Sequence, residues 1–213
     1  MKRTSNFRPH DVSKTDRSDG TILLNSNTPL GPDARSTGDW LHQWSDTAGG
    51  RVFVAERSGA GWGSESYAST LQKVQSIASA LLARGMGADT PILIMSGNGV
   101  DPALPSLAAQ YVGIPTVPVA EQYSLVPAAH GRLKQAIEMV RPKMAYTVDA
   151  AQYDAALRLE CFEDIEIISS KQGANASTSF EDLLAGVSGV DVAAAHSRVM
   201  PETVAKILMT SGS

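Results

Sequence analysis

The sequence of 213 residues holds one cysteine, Cys161, which excludes an intrachain disulfide. No Cys and His residues stand at the spacing of zinc ligands. The only apolar run near the N-terminus, Ile22 to Leu24, is too short for a signal-peptide core and far too short to span a bilayer. These absences predict a cytoplasmic protein that is neither exported nor inserted into a membrane.

An excess of basic charge is also lacking. The chain has 18 Lys and Arg against 22 Asp and Glu, a formal net charge of −4. Nucleic-acid backbones and anionic membrane surfaces are bound through clustered positive charge, and the sequence shows no basic patch. We therefore expect neither a nucleic acid nor a membrane as a partner. The share of apolar residues is average for a globular protein, which excludes a chain disordered throughout.

Two regions differ in composition. Residues 1–38 mix charged, hydroxyl and turn-forming residues without a sustained period, which predicts a polar, partly disordered N-terminal arm. The second region, residues 39–213, begins with a helix that Asp39 is expected to cap. A β-hairpin is predicted over residues 51–67, followed by an amphipathic helix that ends at Gly85.

Strand and helix patterns then alternate at least four times. Apolar runs predict strands at residues 91–95, 114–119, 144–148, 165–168 and 205–209. Helices between them are predicted to begin near Asp101, Ala128, Asp149 and Phe180, the third continuing to Leu159. Short connections between alternating elements predict an α/β fold with a largely parallel sheet and helices on both faces.

Ligands of open parallel sheets bind beyond the carboxyl ends of the strands, where one predicted loop reads Ser96-Gly97-Asn98-Gly99. The loop is not a dinucleotide fingerprint, because Pro102 stands where the third glycine is required. Its composition favours a plain turn from strand to helix. The missing glycine also weakens the hypothesis of a nicotinamide-dependent oxidoreductase.

A second such loop consists of Thr210, Ser211, Gly212 and Ser213. Its hydroxyl donors and flexible backbone suit the binding of a phosphate chain. A surface turn uses the same residue types, and composition alone favours the turn.

The stretch from Pro201 to Ser213, PETVAKILMTSGS, resembles the start of a phosphate loop of the form T-S-G-S-T-G-x-P-K-G. That loop belongs to the AMP-forming acyl-CoA synthetase (adenylate-forming) superfamily. Upstream segments resemble the N-terminal part of feruloyl-CoA synthetases and related aromatic-acid:CoA ligases: Pro29-Leu30-Gly31-Pro32, Gly38-Asp39-Trp40-Leu41, Val52 to Arg57, Tyr67, Ser96-Gly97-Asn98 and Tyr123-Ser124-Leu125.

The resemblance implies an ATP-dependent ligase that joins a carboxylic acid, aromatic such as ferulate, to coenzyme A through an acyl-adenylate. Thr210, Ser211 and Ser213 would donate hydroxyl hydrogens to the ATP phosphates, Gly212 would allow close backbone approach, and Mg²⁺ would offset the phosphate charge.

The family places its catalytic lysine, acyl pocket and metal-associated acid beyond the position of Ser213. Residues 39–213 are therefore expected to form an incomplete AMP-binding domain, truncated within the phosphate loop. We expect this fragment to contain no catalytic residue and no metal ligand, to bind ATP, Mg²⁺ and coenzyme A weakly, and to be inactive alone.

A stand-alone, non-catalytic α/β binding or interaction domain is the alternative hypothesis, in which the terminal TSGS is a turn. The remaining reactive residues give no support to another enzyme class. His10, His42, His130 and His196 have no carboxylate or cysteine at ligand or triad spacing, which predicts surface or packing roles. Cys161 lies beside Glu160 and Glu163, whose charges are expected to raise the pKa of its thiol and keep it unreactive.

Overall fold

The chain divides into two units, Met1–Ala34 and Arg35–Ser213. The computed structural model describes residues 10–31, 33–173 and 178–209. In the first unit, β1 (Val12–Asp16) pairs antiparallel with β2 (Ile22–Ser26). Composition predicted no regular structure there. The side chains of β1 are all exposed, so this strand has no buried face and leaves no apolar alternation in the sequence.

The second unit contains an antiparallel hairpin of β3 (Val52–Ser58) and β4 (Gly61–Ser66), as the sequence predicts. Its other described strands are β5 (Ile92–Ile94), β6 (Thr116–Pro118), β7 (Met144–Asp149), β8 (Glu166–Lys171) and β9 (Thr178–Ser179). Among the described residues these five form one sheet in the order β6-β5-β7-β8-β9. Every neighbouring pair is parallel.

Helices connect the strands and cover the sheet. Those in the described part of the chain are α1 (Thr37–Ala48), α2 (Tyr67–Ala83), α3 (Val100–Tyr111), α4 (Glu121–Leu125), α5 (His130–Val140), α6 (Asp154–Leu157), α7 (Phe180–Leu184) and α8 (Val192–Ser197). Short 3₁₀ turns lie at Pro127–Ala129 and Glu160–Phe162.

Alternate residues of β5 enter two different cores, because successive side chains of a strand point to opposite faces. Ile92 and Ile94 pack with α2, α3 and α7, whereas Leu93 and the following Met95 pack with α5 and α6. Both faces of the parallel sheet are therefore covered by helices. This arrangement confirms the predicted fold class.

Two predicted helix starts are wrong. The hydroxyl of Ser36 accepts a hydrogen bond from the amide of Asp39 at 3.3 Å, and the carboxylate of Asp39 accepts one from the amide of Ser36 at 3.3 Å. Ser36 is therefore the cap, and Asp39 completes a capping box from inside α1. Asp149 caps only a turn, accepting from the amides of Ala151 and Gln152, and the helix expected to reach Leu159 is confined to α6.

The last predicted strand, residues 205–209, is reduced among the described residues to one parallel bridge between Lys206 and Thr116. The next ladder bond on this side of β6 would need an amide hydrogen from Pro118, which proline lacks. Pro115 and Pro118 disfavour a central position in a sheet for residues 114–119, and Pro118 also limits pairing on the outer edge of β6.

Candidate functional site

The carboxyl ends of β5 and β6 open onto a groove of about 600 Å³. Residues 53–56 of β3, residues 96–99 after β5, one face of α3, Pro118 and Lys206 line it. Parallel α/β sheets bind their ligands at this edge. The groove therefore lies where a ligand is expected, with Lys206 as the cation and Glu56 as the carboxylate among its described lining residues.

The glycines of the loop after β5 make room for two carboxylates of the chain itself. A Cβ atom on Gly97 would lie 2.8 Å from Glu121 Oε2, and one on Gly99 would lie 2.7 Å from Glu56 Oε2. Glu56 Oε2 also accepts a hydrogen bond from the amide of Val100 at 2.9 Å, at the start of α3. Because a negative charge already occupies this helix terminus, the loop is unsuited to a pyrophosphate, in agreement with the failed fingerprint.

Tyr153 holds Glu121 in place beneath this loop. The Tyr153 hydroxyl donates a hydrogen bond to Glu121 Oε1 at 2.9 Å. Burial, together with this bond and the charge of Glu121, raises the pKa of Tyr153 well above its ordinary value. The phenol therefore stays protonated and remains a donor at neutral pH.

Ser96 is among the residues that line the groove. Its Oγ is shielded from solvent and has no hydrogen-bond partner in the part of the chain that the structure describes. A buried hydroxyl without a hydrogen-bond partner costs free energy. Glu56, Ser96 and Lys206 come from three distant segments, and no sequence motif links them.

Residues 205–207 connect the groove to the predicted phosphate loop. The amide of Thr116 donates to the carbonyl of Ala205 at 3.1 Å, and the carbonyl of Thr116 accepts from the amide of Ile207 at 2.9 Å. The chain therefore runs parallel to β6, towards the carboxyl edge of the sheet. Thr210, Ser211, Gly212 and Ser213 lie outside the described residues, so their contact with phosphate stays a prediction.

The fold supplies His196 with a carboxylate that lies far from it in sequence. His196 Nε2 lies 3.1 Å from Asp39 Oδ1, and the ring of His42 lies 5.5 Å from that of His196. His196 is buried, which agrees with a packing role. Sequence spacing could not find the Asp39 contact, because it joins α1 to α8, which are far apart in the chain.

Cys161 is half-buried, and burial is the main cause that raises the pKa of its thiol. From the sequence, Glu160 and Glu163 were expected to cause this rise in pKa. The charge of Glu160 does contribute to the rise, but less than burial does. The direction of the predicted shift is confirmed, and it favours the unreactive thiol.

Within residues 10–31, 33–173 and 178–209, no group of three or more His, Cys, Asp or Glu residues could hold a metal ion. The helices in the same ranges include none with the length and apolar character needed to cross a membrane.

Comparison with known proteins identifies a protein family that the sequence matches. The model of a family described as "AMP-binding enzyme" matches residues 41–213. Curated proteins give no significant match to the sequence.

Solved structures share the fold at low sequence identity. A long-chain-fatty-acid-CoA ligase from Archaeoglobus fulgidus has a TM-score of 0.69 at 14% identity, over 86% of this chain and 36% of its own. A red-emitting luciferase from Phrixothrix hirtus has a TM-score of 0.63 at 17% identity, over 89% and 46%. A fatty acyl-adenylate ligase from L. pneumophila, solved with acyl adenylate and pyrophosphate, has a TM-score of 0.60 at 16% identity, over 84% and 29%. The chain thus spans less than half the length of each.

Proposed function

The chain belongs to the AMP-binding enzyme family, and from this membership we propose that it is the N-terminal part of an ATP-dependent carboxylic acid:CoA ligase. The observation that carries the proposal is the family match over residues 41–213, which includes both the groove and the TSGS segment. The run of residues 205–207 towards the carboxyl edge of the sheet supports it, since this is the edge at which such folds bind ligands.

The proposed reaction has two steps. A carboxylate oxygen attacks the α-phosphorus of ATP, and the bond from that phosphorus to the oxygen bridging the α- and β-phosphates breaks. Pyrophosphate departs, and the acyl-adenylate remains. The thiol of coenzyme A then attacks the acyl carbon and AMP leaves, which gives the thioester. In the first step Thr210, Ser211 and Ser213 would donate hydrogen bonds to the β- and γ-phosphates as negative charge builds on the leaving group. Gly212 would let the backbone approach them.

Mg²⁺ accompanies ATP in reactions of this kind and offsets phosphate charge. The described residues hold no cluster of carboxylates or other ligands for it, so we assign no residue and no step of this chain to the ion.

We further propose that the acid is aromatic, with ferulate as the reference substrate. Support comes from the resemblance of the sequence at Pro29–Pro32, Gly38–Leu41 and Tyr123–Leu125 to aromatic-acid:CoA ligases. The solved fatty-acid ligases share the fold alone with this chain, so their names do not weigh against this choice. A cytoplasmic location also stays a prediction, based on the single cysteine.

Thioester formation tests the proposal. The product of the reading frame that contains these 213 residues is mixed with ATP, Mg²⁺ and coenzyme A, and with ferulate, benzoate or palmitate in turn. We expect ATP-dependent thioester with at least one acid, and a higher kcat/KM for ferulate than for palmitate. A preference for palmitate would contradict the aromatic proposal and leave the ligase proposal intact.

We propose that the 213-residue chain alone is inactive, because the family resemblance places the catalytic lysine and acyl pocket beyond its last residue. The alternative, a non-catalytic α/β binding domain, predicts no thioester with any acid from either protein. Codons for Thr-Gly and then Lys-Gly after that of Ser213 would favour the ligase, since the phosphate loop requires them.

A further inference from the structure

A cluster of polar side chains outside the groove joins the start of α1 to the end of α8. It consists of Arg35, Asp39, His42, Tyr111 and His196. Arg35 Nη2 donates to Asp39 Oδ1 at 2.7 Å, and His196 Nδ1 donates to the carbonyl of Tyr111 at 2.9 Å. The cluster therefore ties together three helices that are far apart in sequence.

The guanidinium of Arg35 forms hydrogen bonds at the C-terminal end of α8. Its Nη1 donates to the carbonyl of His196 at 2.9 Å and to the carbonyl of Val199. Carbonyls in the last turn of a helix lack partners within the helix and carry partial negative charge. The His196 carbonyl, in the last turn of α8, also accepts from the Val199 amide at 3.1 Å, and Val199 lies two residues beyond the helix. One arginine thus binds a carbonyl at the end of α8 and another just after it while its other nitrogen holds Asp39, a combination that the single ammonium group of lysine cannot reproduce.

The ring of His196 is fixed by packing as well as by hydrogen bonds. It stacks on the ring of Tyr111 with centroids 4.0 Å apart and planes 5° apart. Gly38 of α1 lies against this stack, since a Cβ on it would be 2.5 Å from His196 Cε1. His42 Nε2 meets the Tyr111 hydroxyl at 2.6 Å. Each partner of His196 is therefore held by a further contact.

The chain leaves this cluster directly for the β6 edge. Val199 is buried, and Thr203 closes a turn by donating its amide to the carbonyl of Met200 at 3.0 Å. The bridge between Lys206 and Thr116 follows at once. The path of residues 197–207 is thus fixed at two points, by Arg35 at its start and by β6 at its end.

We infer that Arg35, Asp39 and His196 form a clasp that sets the path of residues 197–207 and so positions the segment that enters Thr210–Ser213. The part concerning Thr210–Ser213 rests on the proposed function. The clasp itself rests on the contacts and needs no catalytic activity to be tested.

Amide hydrogen exchange of the 213-residue chain, read by NMR, tests the clasp. The reporters are the amides of Thr116 and Ile207, whose bonds join residues 205–207 to β6. Arg35→Ala is expected to speed their exchange at least about tenfold, equal to about 1.4 kcal/mol of local opening free energy, with less than about threefold change in the amides of β7.

Arg84→Ala is the matched control. The Arg84–Glu166 pair has side chains 29% and 31% exposed, against 30% and 31% for Arg35–Asp39, and Arg84 also donates to a helix carbonyl. This control should leave the exchange rates of the Thr116 and Ile207 amides unchanged relative to those of the β7 amides. Arg35→Lys keeps the positive charge and is the test variant if Arg35→Ala does not fold. It should also speed exchange selectively at the amides of Thr116 and Ile207.

Unchanged exchange at Thr116 and Ile207 in the Arg35 variants would overturn the inference. An equal rise at these amides and in β7 would overturn it too, because Arg35 would then contribute only to global stability. A ligase assay that failed with every acid would leave the exchange result standing and would refute the proposed function alone.

Discussion

Among single residues, Gly38 shows most clearly how close packing selects an amino acid. A Cβ at this position would lie 2.5 Å from His196 Cε1 and 2.8 Å from Tyr111 Cδ2. The two rings are stacked on each other, and hydrogen bonds hold both: His196 bonds to the carbonyl of Tyr111, and the Tyr111 hydroxyl bonds to His42. The glycine is therefore required by the approach of α1 to the stack, although glycine is unfavourable within a helix.

Gly38→Ala is expected to lower the free energy of unfolding by about 1–3 kcal/mol, because the added methyl group overpacks a rigid site. Gly131→Ala in α5 is the control, since no described atom lies within 4 Å of its Cβ position apart from its chain neighbours and the backbone of its own helix. It should be neutral or stabilising by up to about 1 kcal/mol. Urea denaturation of both variants measures the difference, and an equal effect of the two substitutions would contradict the packing argument.

Asp39 makes the stabilisation that the cluster contributes depend on pH. Burial alone would raise the pKa of Asp39, but the Arg35 guanidinium and His196 outweigh burial and hold the pKa below its ordinary value of 3.8. An unfolded carboxyl then takes up its proton at higher pH than the folded one. The stabilisation is therefore present above about pH 4 and is lost as the pH falls through the folded-state pKa.

Asp39→Asn should consequently have a lower free energy of unfolding than the native chain at pH 6. This difference between the two proteins should narrow towards pH 3. Urea denaturation at both pH values measures it. Asp46→Asn, which changes an exposed carboxyl of the same helix, is the control and should have little effect at either pH. A gap for Asp39→Asn that stays constant or widens towards pH 3 would argue against the ion pair.

At the scale of elements, α3 depends on a residue from another element for its cap. Gly99, at the cap position, has no side chain to offer, and Glu56 of β3 accepts the Val100 amide instead. A carboxylate at a helix N-terminus satisfies a free amide and interacts favourably with the helix dipole. The β3 hairpin and α3 are thus joined at the rim of the groove.

Glu56→Ala is expected to cost about 1 kcal/mol of unfolding free energy, in the range measured for lost helix caps. Glu56→Gln retains an acceptor oxygen and loses the charge, so it should cost about half as much. Glu138→Ala, an exposed change on α5, should cost less than either. Thermal or urea unfolding ranks the three variants, and a Glu56→Ala effect no larger than that of Glu138→Ala would contradict the cap.

Elements with a strong apolar period were predictable from sequence, and those without one were not. Helix α2 and strands β5 and β7 follow from local patterns because one face or both faces are buried. Strand β9 has two residues and β1 is wholly exposed, so neither leaves a pattern. The reduced strand at residues 205–209 follows from Pro118 on its partner, which no property of residues 205–209 reveals.

At the scale of the whole molecule, alternation of strand and helix was enough to predict the parallel α/β fold. The groove was not predictable, because Glu56 of the separate β3–β4 hairpin, Ser96 after β5 and Lys206 beside β6 come together only in the tertiary structure. The family relation rests on residues 41–213. The three solved structures share the fold, and this chain covers 36%, 46% and 29% of their lengths.

Carboxylate-dependent exchange of pyrophosphate into ATP tests the central claim most directly, because it reports formation of the acyl-adenylate alone. The product of the full reading frame is predicted to catalyse ferulate-dependent exchange, and the 213-residue chain to show none above background. Absence of exchange by the full product with aromatic and fatty acids alike would contradict the ligase assignment, and clear exchange by the 213-residue chain would contradict its inactivity.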